Sequence, residues 1–533
     1  MFVERLSLEL GLTIGTTSKT VAAGDIKRLE VKLTSWGYSG EIEWWSVSRE
    51  QSSEDTLFAA FVGDDLVVTK LTIKRTLDDV EETPSSLVLK GLAVERSVEE
   101  RTVPAVQGAP VLQRRYRMRF ADRGRVLWGQ HHPKALYVDK TYKDVIEDNL
   151  PQGVTVSFDW TAATTKYPVL SLALEPGGAS FWDYVAWLVA TKGGALFYDA
   201  DADKYELRGA KPTVATTESL KRTEVLEIVT TYPRIRRETV NVLNAYTDAG
   251  TKKKSITNES AVAGVRHDYL IRSSIAADLD TRVTLETTRS KQGEPGARFV
   301  LRAFPANALR PNEGLSLDDT FSTNIAQSGK NYRITGVFIS ARAVDATAGD
   351  ATADVSNRYE IDYEIDAELA SDPALPRAPF VTPSWPLVVE GKVVSEVGSD
   401  PEGTYQIYQA ETTSLDVYKV KIPLFADQKV IASFEPTTIS GHFYFPMVKN
   451  ARVLVALDFD RASVLEFLDW RPGARLPLES QGNHILLGKQ QDDETSIRHV
   501  YEDAKPLLSI QRKKAEDTQL IKVSEGTIFI ETK

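Results

Sequence analysis

At 533 residues the chain exceeds what one hydrophobic core organises, and it predicts about three domains or slightly more. Its 42% apolar and 26% charged content is that of an ordinary folded protein and argues against a wholly disordered or membrane chain, while zero cysteines exclude disulfides and thiolate metal sites. A formal charge of −11 repels polyanions and leaves no overall electrostatic footprint for nucleic acid. The longest apolar run, Tyr184 to Ala190, falls far short of the roughly 20 residues of a bilayer-crossing helix. At the amino terminus Met1-Phe2-Val3-Glu4-Arg5-Leu6 places an acid early and lacks a basic stretch leading into an apolar one, so no secretory signal is expected.

Residues 1–110 read as successive strands. Val3–Leu10, Ile26–Leu33, Glu41–Val47, Leu66–Ile73 and Leu87–Val94 alternate apolar and polar residues between turn residues, a spacing that points to a barrel or sandwich. A second region, 111–370, opens after Pro104 and Pro110 with the strand Leu112–Phe120. There Arg115, Arg117 and Arg119 alternate with Tyr116, Met118 and Phe120. With Arg114, Arg123 and Arg125 they form a basic cluster, read as a solvated or inter-subunit salt-bridging face, with an anionic ligand as the lesser alternative. A short helix is expected over 142–150, stopped by Pro151. A clearer one spans 181–191, with Ser180 as N-cap, apolar residues at three- and four-residue steps, and Gly193-Gly194 as the stop. Ala195–Tyr198 and Tyr205–Arg208 then form a hairpin, and strands resume from Thr223 to Leu369 with an acid-rich loop at 345–354.

Five prolines crowd residues 371–386 and deny hydrogen-bond donors to any central strand, which marks a linker. Over 387–470, five strands are expected at Leu387–Val394, Asp416–Ile422, Val430–Phe434, Ala451–Phe459 and Ser463–Leu468, the content of a small oligonucleotide/oligosaccharide-binding (OB) barrel. Arg471-Pro472-Gly473 to Pro477 closes it. The remainder, through residue 533, carries alternating apolar pairs: Leu508 and Ile510, Ile521 and Val523, Ile528 and Ile530. So short a tail cannot bury them alone, and burial stabilises by about 1.5–3 kcal/mol per aliphatic side chain, so siblings are expected to cover them. These six residues are the candidate trimer interface.

Catalytic signatures are scarce. No G-x-S-x-G, phosphate-loop or dinucleotide pattern occurs. His131 and His132 would point to opposite faces of a strand, and His484 sits at a turn. Asp199-Ala200-Asp201-Ala202-Asp203 imitates a calcium loop, but Lys204 replaces the required glycine and Ala210 the closing glutamate. Glu41 and Glu43 beside Trp44 and Trp45 make the best case for a rival function, a surface-acting carbohydrate-binding or glycoside-cleaving β-protein. Nucleic-acid binding by the OB-type barrel ranks last, because Leu387–Leu468 mixes acids with bases. No enzymatic activity, cofactor or metal is expected.

Three segments resemble the fused hub-and-spike proteins of contractile injection systems, including the valine-glycine repeat (VgrG) proteins of type VI secretion and their phage-tail-like counterparts. Ser180-Phe181-Trp182-Asp183-Tyr184-Val185-Ala186-Trp187-Leu188 through Gly194, with Tyr198 to Arg208, is similar to the family's hub helix and hairpin. Tyr418–Pro423, Gly441–Pro446 and Arg452–Leu457 resemble its OB barrel, and Gly482-Asn483-His484 onward resembles the start of its spike. The resemblance implies a mainly β protein with a few short helices: a hub of two β-barrels, an OB barrel, and over 471–533 a short, intertwined trimeric β-helix. It also implies synthesis in the bacterial cytoplasm and assembly as a homotrimer between an Hcp-like inner tube and a PAAR-type spike tip. Baseplate components and tape-measure or effector cargo are further partners it implies, with only transient contact with the target membrane. The short tail, and the lack of the acidic run usual before the helix in type VI members, favour the extracellular or phage-like branch.

Overall fold

The structure, a computed structural model, describes residues 1–48, 55–76, 85–103, 111–214, 217–322, 325, 329–345, 356–397, 405, 407–410, 416–434, 443, 445–468, 482–490 and 493–533. Pro104, Pro110, most of the 345–354 loop, Gly441-His442 and the breaker at 471–477 lie outside these residues. The chain divides into two units, one of residues 1–132, 142–165 and 174–383, the other of residues 133–141, 166–173 and 384–533.

The first unit is organised by β1 (Phe2–Ile14), β2 (Thr17–Ala22), β3 (Ile26–Thr34), β4 (Gly37–Ser48), β5 (Val67–Arg75), β6 (Leu87–Val103) and β7 (Val111–Ala121). Alternation dictates what they bury: Leu6, Leu8, Leu10, Leu12 and Ile14 of β1 are all within 1% exposure. The hydrogen-bonded order β3-β4-β7-β6-β5-β1 is closed by two long strands, Asn331–Ala343 beside β3 and Ser356–Leu369 beside β1, which pair with each other. The ring therefore unites residues from both expected hub regions, and β7 pairs along β6 across the expected boundary near residue 110.

The same two strands also serve a second sheet. Asn331–Arg333 pairs with the strand Gly314–Leu317, whereas Gly336–Arg342 pairs with β3. Ser356–Ile361 pairs with β1, whereas Glu364–Ala367 pairs with the strand Gly296–Leu301. The second sheet is completed by Thr217–Leu220 and Val225–Thr231, consecutive segments joined through the turn Arg222–Glu224. A bulge lies between Ile334 and Gly336, where the first long strand changes partner. Before it the buried apolar residues are the even-numbered Tyr332 and Ile334; after it they are the odd-numbered Val337, Ile339 and Ala341. The extra residue restores the core-facing phase that strict alternation would lose.

The helix Phe181–Lys192 forms where expected. Ser180 and Asp183 make reciprocal capping bonds, and Gly193 ends the helix at φ 79°. The shorter expected helix runs Tyr142–Glu147. Arg123 and Arg125 are not on the arginine-rich strand. They lie in a helix, Arg123–Trp128, because the Asp122 carboxylate caps its first turn and ends β7. Sequence periodicity also missed the helix Ala276–Arg289, which packs on a small sheet of Thr239–Asn244, Lys253–Ile256 and Arg266–Ile271.

The second unit holds a closed five-stranded barrel. Leu387–Val393, Asp416–Ile422, Gln428–Ser433, Ala462–Phe467 and Arg452–Leu457 pair in that order and return to the first. Numbered along the chain this is 1-2-3-5-4-1, with strands three and five parallel at Ser433 and Ser463, so the OB expectation holds strand for strand. Residues 371–386 contain no strand. A hairpin of Lys134–Thr141 and Lys166–Ala173 belongs to this unit, placing Leu136 and Val169 in the core with Tyr418, Val420 and Val455. The Ser171 hydroxyl donates to the Asp458 carbonyl at 2.8 Å, and the Trp385 indole donates to the Ser171 carbonyl at 3.1 Å.

Ion pairs fasten β4, β7 and β6. Arg117 meets Glu41 at 2.6 Å, Arg115 meets Glu43 at 2.6 Å and Arg119 meets Glu95 at 2.8 Å, so the arginine face is salt-bridged within the chain. Arg114 differs, being 4% exposed and bound to Asp55 at 3.1 Å and to Glu100 at 2.9 Å. Removing it strands the buried Asp55 charge, so Arg114→Ala is expected to cost about 3–5 kcal/mol in urea unfolding. Arg117→Ala, at an exposed pair, is expected to cost less than about 1 kcal/mol. Equal costs would contradict this division.

Asp122 is fully buried and accepts hydrogen bonds from the Arg125 amide at 2.8 Å, the Tyr38 amide at 3.0 Å and the Tyr205 hydroxyl. Burial, aided by nearby Asp203, pushes its carboxyl up to about 7 despite those donors and Arg125. The folded chain thus holds this proton more tightly than the unfolded chain. The stability Asp122 contributes is complete below the ordinary carboxylate range and is lost as pH rises through about 7. Between pH 5 and 8 the urea midpoint of the wild type should fall more steeply than that of Asp122→Asn. Parallel pH profiles would refute the assignment.

Candidate functional site

The strongest candidate from sequence for a chemical site is divided by the pleat. Glu41, Glu43 and Trp45 share one face of β4, whereas Trp44 points into the core, 2% exposed and stacked on Tyr116 at 5.2 Å and 4°. Both carboxylates are held by arginines, and Arg115 also lies over the Trp45 ring at 6.0 Å. The acids and tryptophans therefore do not frame a common pocket. His131 hydrogen-bonds Asn149 at 2.8 Å, and Asp199 accepts from the amides of Asp201 and Ala202 at 3.0 Å in a turn. His484 accepts from Arg498 at 3.3 Å. Among the described residues no helix is long and apolar enough to cross a membrane.

The C-terminal segment carries a different kind of site. Five strands, Gly482–Gln490, Asp493–Glu502, Lys505–Lys514, Asp517–Ser524 and Thr527–Thr532, form an antiparallel meander in chain order. Two-residue turns set its register: Asp503 and Ala504 take φ 48° and 62°, Ala515 takes 51° and Gly526 takes 70°. That register places Ile485, Ile497, Ile510, Ile521 and Ile530 directly opposite one another in one continuous column. The adjoining column on the same face is Asn483, His499, Leu508, Val523 and Ile528.

All six residues predicted as an interface therefore share one face in two adjacent columns. In the single chain they stay open: Leu508 is 37% exposed, Ile521 41%, Ile528 69% and Ile530 70%. The opposite face carries Leu486, Ser496, Gln511, Leu520 and Glu531 in one column and His484, Arg498, Ser509, Lys522 and Phe529 in the next, a more polar set. Sequence reasoning missed Ile485 and Ile497. Ile497 alternates with Ser496 and Arg498 and Ile485 opens the apolar run Ile485-Leu486-Leu487, but each strand has a single isoleucine whose importance emerges only with the register.

No family model matches the chain, and no curated protein matches it either. Solved structures do. One chain of the Francisella PdpA-VgrG complex in a half-lidded form aligns at a TM-score of 0.76 over 100% of this chain and 88% of its own, at 11% identity. A chain of the lidless PdpA-VgrG complex aligns at 0.75 over 100% and 99%, also at 11% identity. The lidded form gives 0.75 over 99% and 80%, at 12% identity. With the two hub sheets, the OB barrel and the terminal meander in place, the chain has a VgrG-like hub-and-spike fold.

Proposed function

We propose that three copies of the chain associate through the isoleucine-bearing face of the C-terminal meander, and that the trimer is the baseplate hub and spike of a contractile injection system. The observation that carries this reading is the register-matched apolar face, left open in the single chain. Exposed contiguous apolar surface on a folded chain marks an interaction site. Covering the still-exposed part of six aliphatic side chains stabilises by roughly 5–10 kcal/mol per chain, of the same order as the roughly 4–15 kcal/mol association costs. Further contacts between hub units would supply the surplus.

In this reading the role is mechanical rather than catalytic. Three hub units, each with two β-sheets joined by shared strands, form a ring on which the inner tube of an Hcp-like protein stacks. The spike carries a PAAR-type tip and is driven through the target membrane when the sheath contracts. Baseplate proteins and tape-measure or effector cargo are further partners, and the particle is the site of action. The full-length likeness to a chain of the PdpA-VgrG complex supports this assembly over a free-standing enzyme.

Native mass spectrometry of the purified chain tests the association. A species at three times 59.1 kDa is expected. Ile510→Asp with Ile521→Asp should yield a folded monomer with an unchanged far-ultraviolet circular dichroism spectrum. A monomeric wild type, or a trimer indifferent to both substitutions, would remove the basis of the proposal.

A further inference from the structure

A basic cavity in the first unit belongs to none of the features above. It measures about 180 Å3 and lies where two helices end, Phe181–Lys192 at Gly193-Gly194 and Ala276–Arg289 at Thr288-Arg289. Among the described residues four cations line it, Arg236, Arg289, Lys291 and Arg377, and none of the lining residues is a carboxylate. Among the described residues, neither Arg236, Lys291 nor Arg377 has a carboxylate within ion-pair distance, in a chain whose acids outnumber its bases. Arg377 and Arg236 both donate to the Arg289 carbonyl, at 2.9 and 3.4 Å, which gathers the guanidinium groups. Arg289 spends Nη1 on Glu286 at 2.8 Å, and its buried Nε has no partner.

Capping of helix ends accounts for only part of this charge. Each helix carboxyl end carries about half a negative charge, so two ends neutralise about one cation. Glu286 neutralises at most one more, and it is shared with Arg282 at 2.8 Å. Glu238, fully exposed, also lies within electrostatic reach of Arg236, which leaves at least about one positive charge uncompensated. Burial, and then repulsion from Arg289 and Arg236, hold the Arg377 guanidinium below its ordinary range, although Tyr269 and Glu286 pull the other way. The volume is below the roughly 300–1,000 Å3 of ordinary small-molecule sites and suits one compact oxyanion. Guanidinium forks match the oxygens of a phosphate dianion in both charge and geometry.

We infer that the cavity bounded by Arg236, Arg289, Lys291 and Arg377 binds a phosphate dianion, either the free ion or the terminal group of a phosphomonoester. Titration calorimetry of the full chain with inorganic phosphate, in a low-salt chloride buffer at pH 8, should show one saturable site per chain. Lys291→Gln combined with Arg377→Gln should weaken it at least about tenfold, given the usual strength of hydrogen bonds to charged groups. Lys291→Gln alone, at an exposed position, serves if the double variant misfolds, and should weaken binding severalfold. Acetate should not compete. Tighter binding of phenyl phosphate than of inorganic phosphate would identify a monoester as the source, and the reverse order the free ion; both support the site. No saturable phosphate binding, binding unchanged in the variants, or equal binding of acetate overturns it.

Discussion

The first unit depends on two strands doing double service. Asn331–Ala343 and Ser356–Leu369 pair with each other and each changes its outer partner partway along, so one ladder belongs to two sheets. That arrangement imposes a phase constraint: every inward residue must stay inward across the changeover. Ser356–Leu369 meets it by plain alternation, burying Tyr359, Ile361, Tyr363 and Ile365 at 1% exposure or less. Asn331–Ala343 meets it with the bulge at Thr335, whose carbonyl accepts from the Ser35 amide at 3.1 Å and whose hydroxyl donates to the Asp366 carbonyl at 3.1 Å. Because the shared strands come late in the chain, the eight-stranded ring that begins with β1 is completed only when residues 331–369 are in place. Such non-local pairing favours a single cooperative unit over two independently folding barrels.

Much of this was legible in the sequence, and the limits have physical causes. The helix at 181–191 was readable because cap, stripe and glycine stop agree locally, and the OB strands because breakers isolate them. The helix that carries Arg123 and Arg125 was not read, because only the capping geometry of Asp122 reveals the change from strand to helix. The helix Ala276–Arg289 escaped notice because it buries little beyond Leu279 and the ion-paired Glu286, so its apolar stripe is faint. Ring closure was not readable at all. A strand's partner is set by register across more than 300 residues, and β1 carries nothing local that names Ser356–Leu369. For the candidate site, sequence supplied the six apolar residues but not the ladder, since a column exists only once turns fix how strands oppose one another.

Charge and apolarity are distributed differently on the two open sheet faces. On the β4-β7-β6 face Arg115, Arg117 and Arg119 are each answered by a glutamate of a neighbouring strand in the same chain, so that face offers little to a partner. Exposed pairs of this kind contribute at most about 1 kcal/mol each, but opposite charges in register also penalise misalignment of the strands. The C-terminal meander pairs its three inner strands on both sides and leaves its isoleucine face unanswered. One face is complete in the single chain; under the proposed association the other is covered by sibling copies.

An apolar face of this kind is a hazard unless its association closes. A flat sheet with free edges can stack or extend without limit, and proteins oppose this with charge at the edges and on the reverse face. Here Lys505, Lys513 and Lys522 stand on the reverse face, and Lys505 pairs with Glu525 at 2.6 Å beside the turn. Closed rotational symmetry removes the remaining risk, because each copy's apolar face is then covered by its siblings and none is left to recruit more. Under the proposed threefold association the isoleucine columns line a common axis, with the more polar columns of Ser496 and Arg498 outward. The same register that makes the monomer incomplete is then what limits the assembly's size.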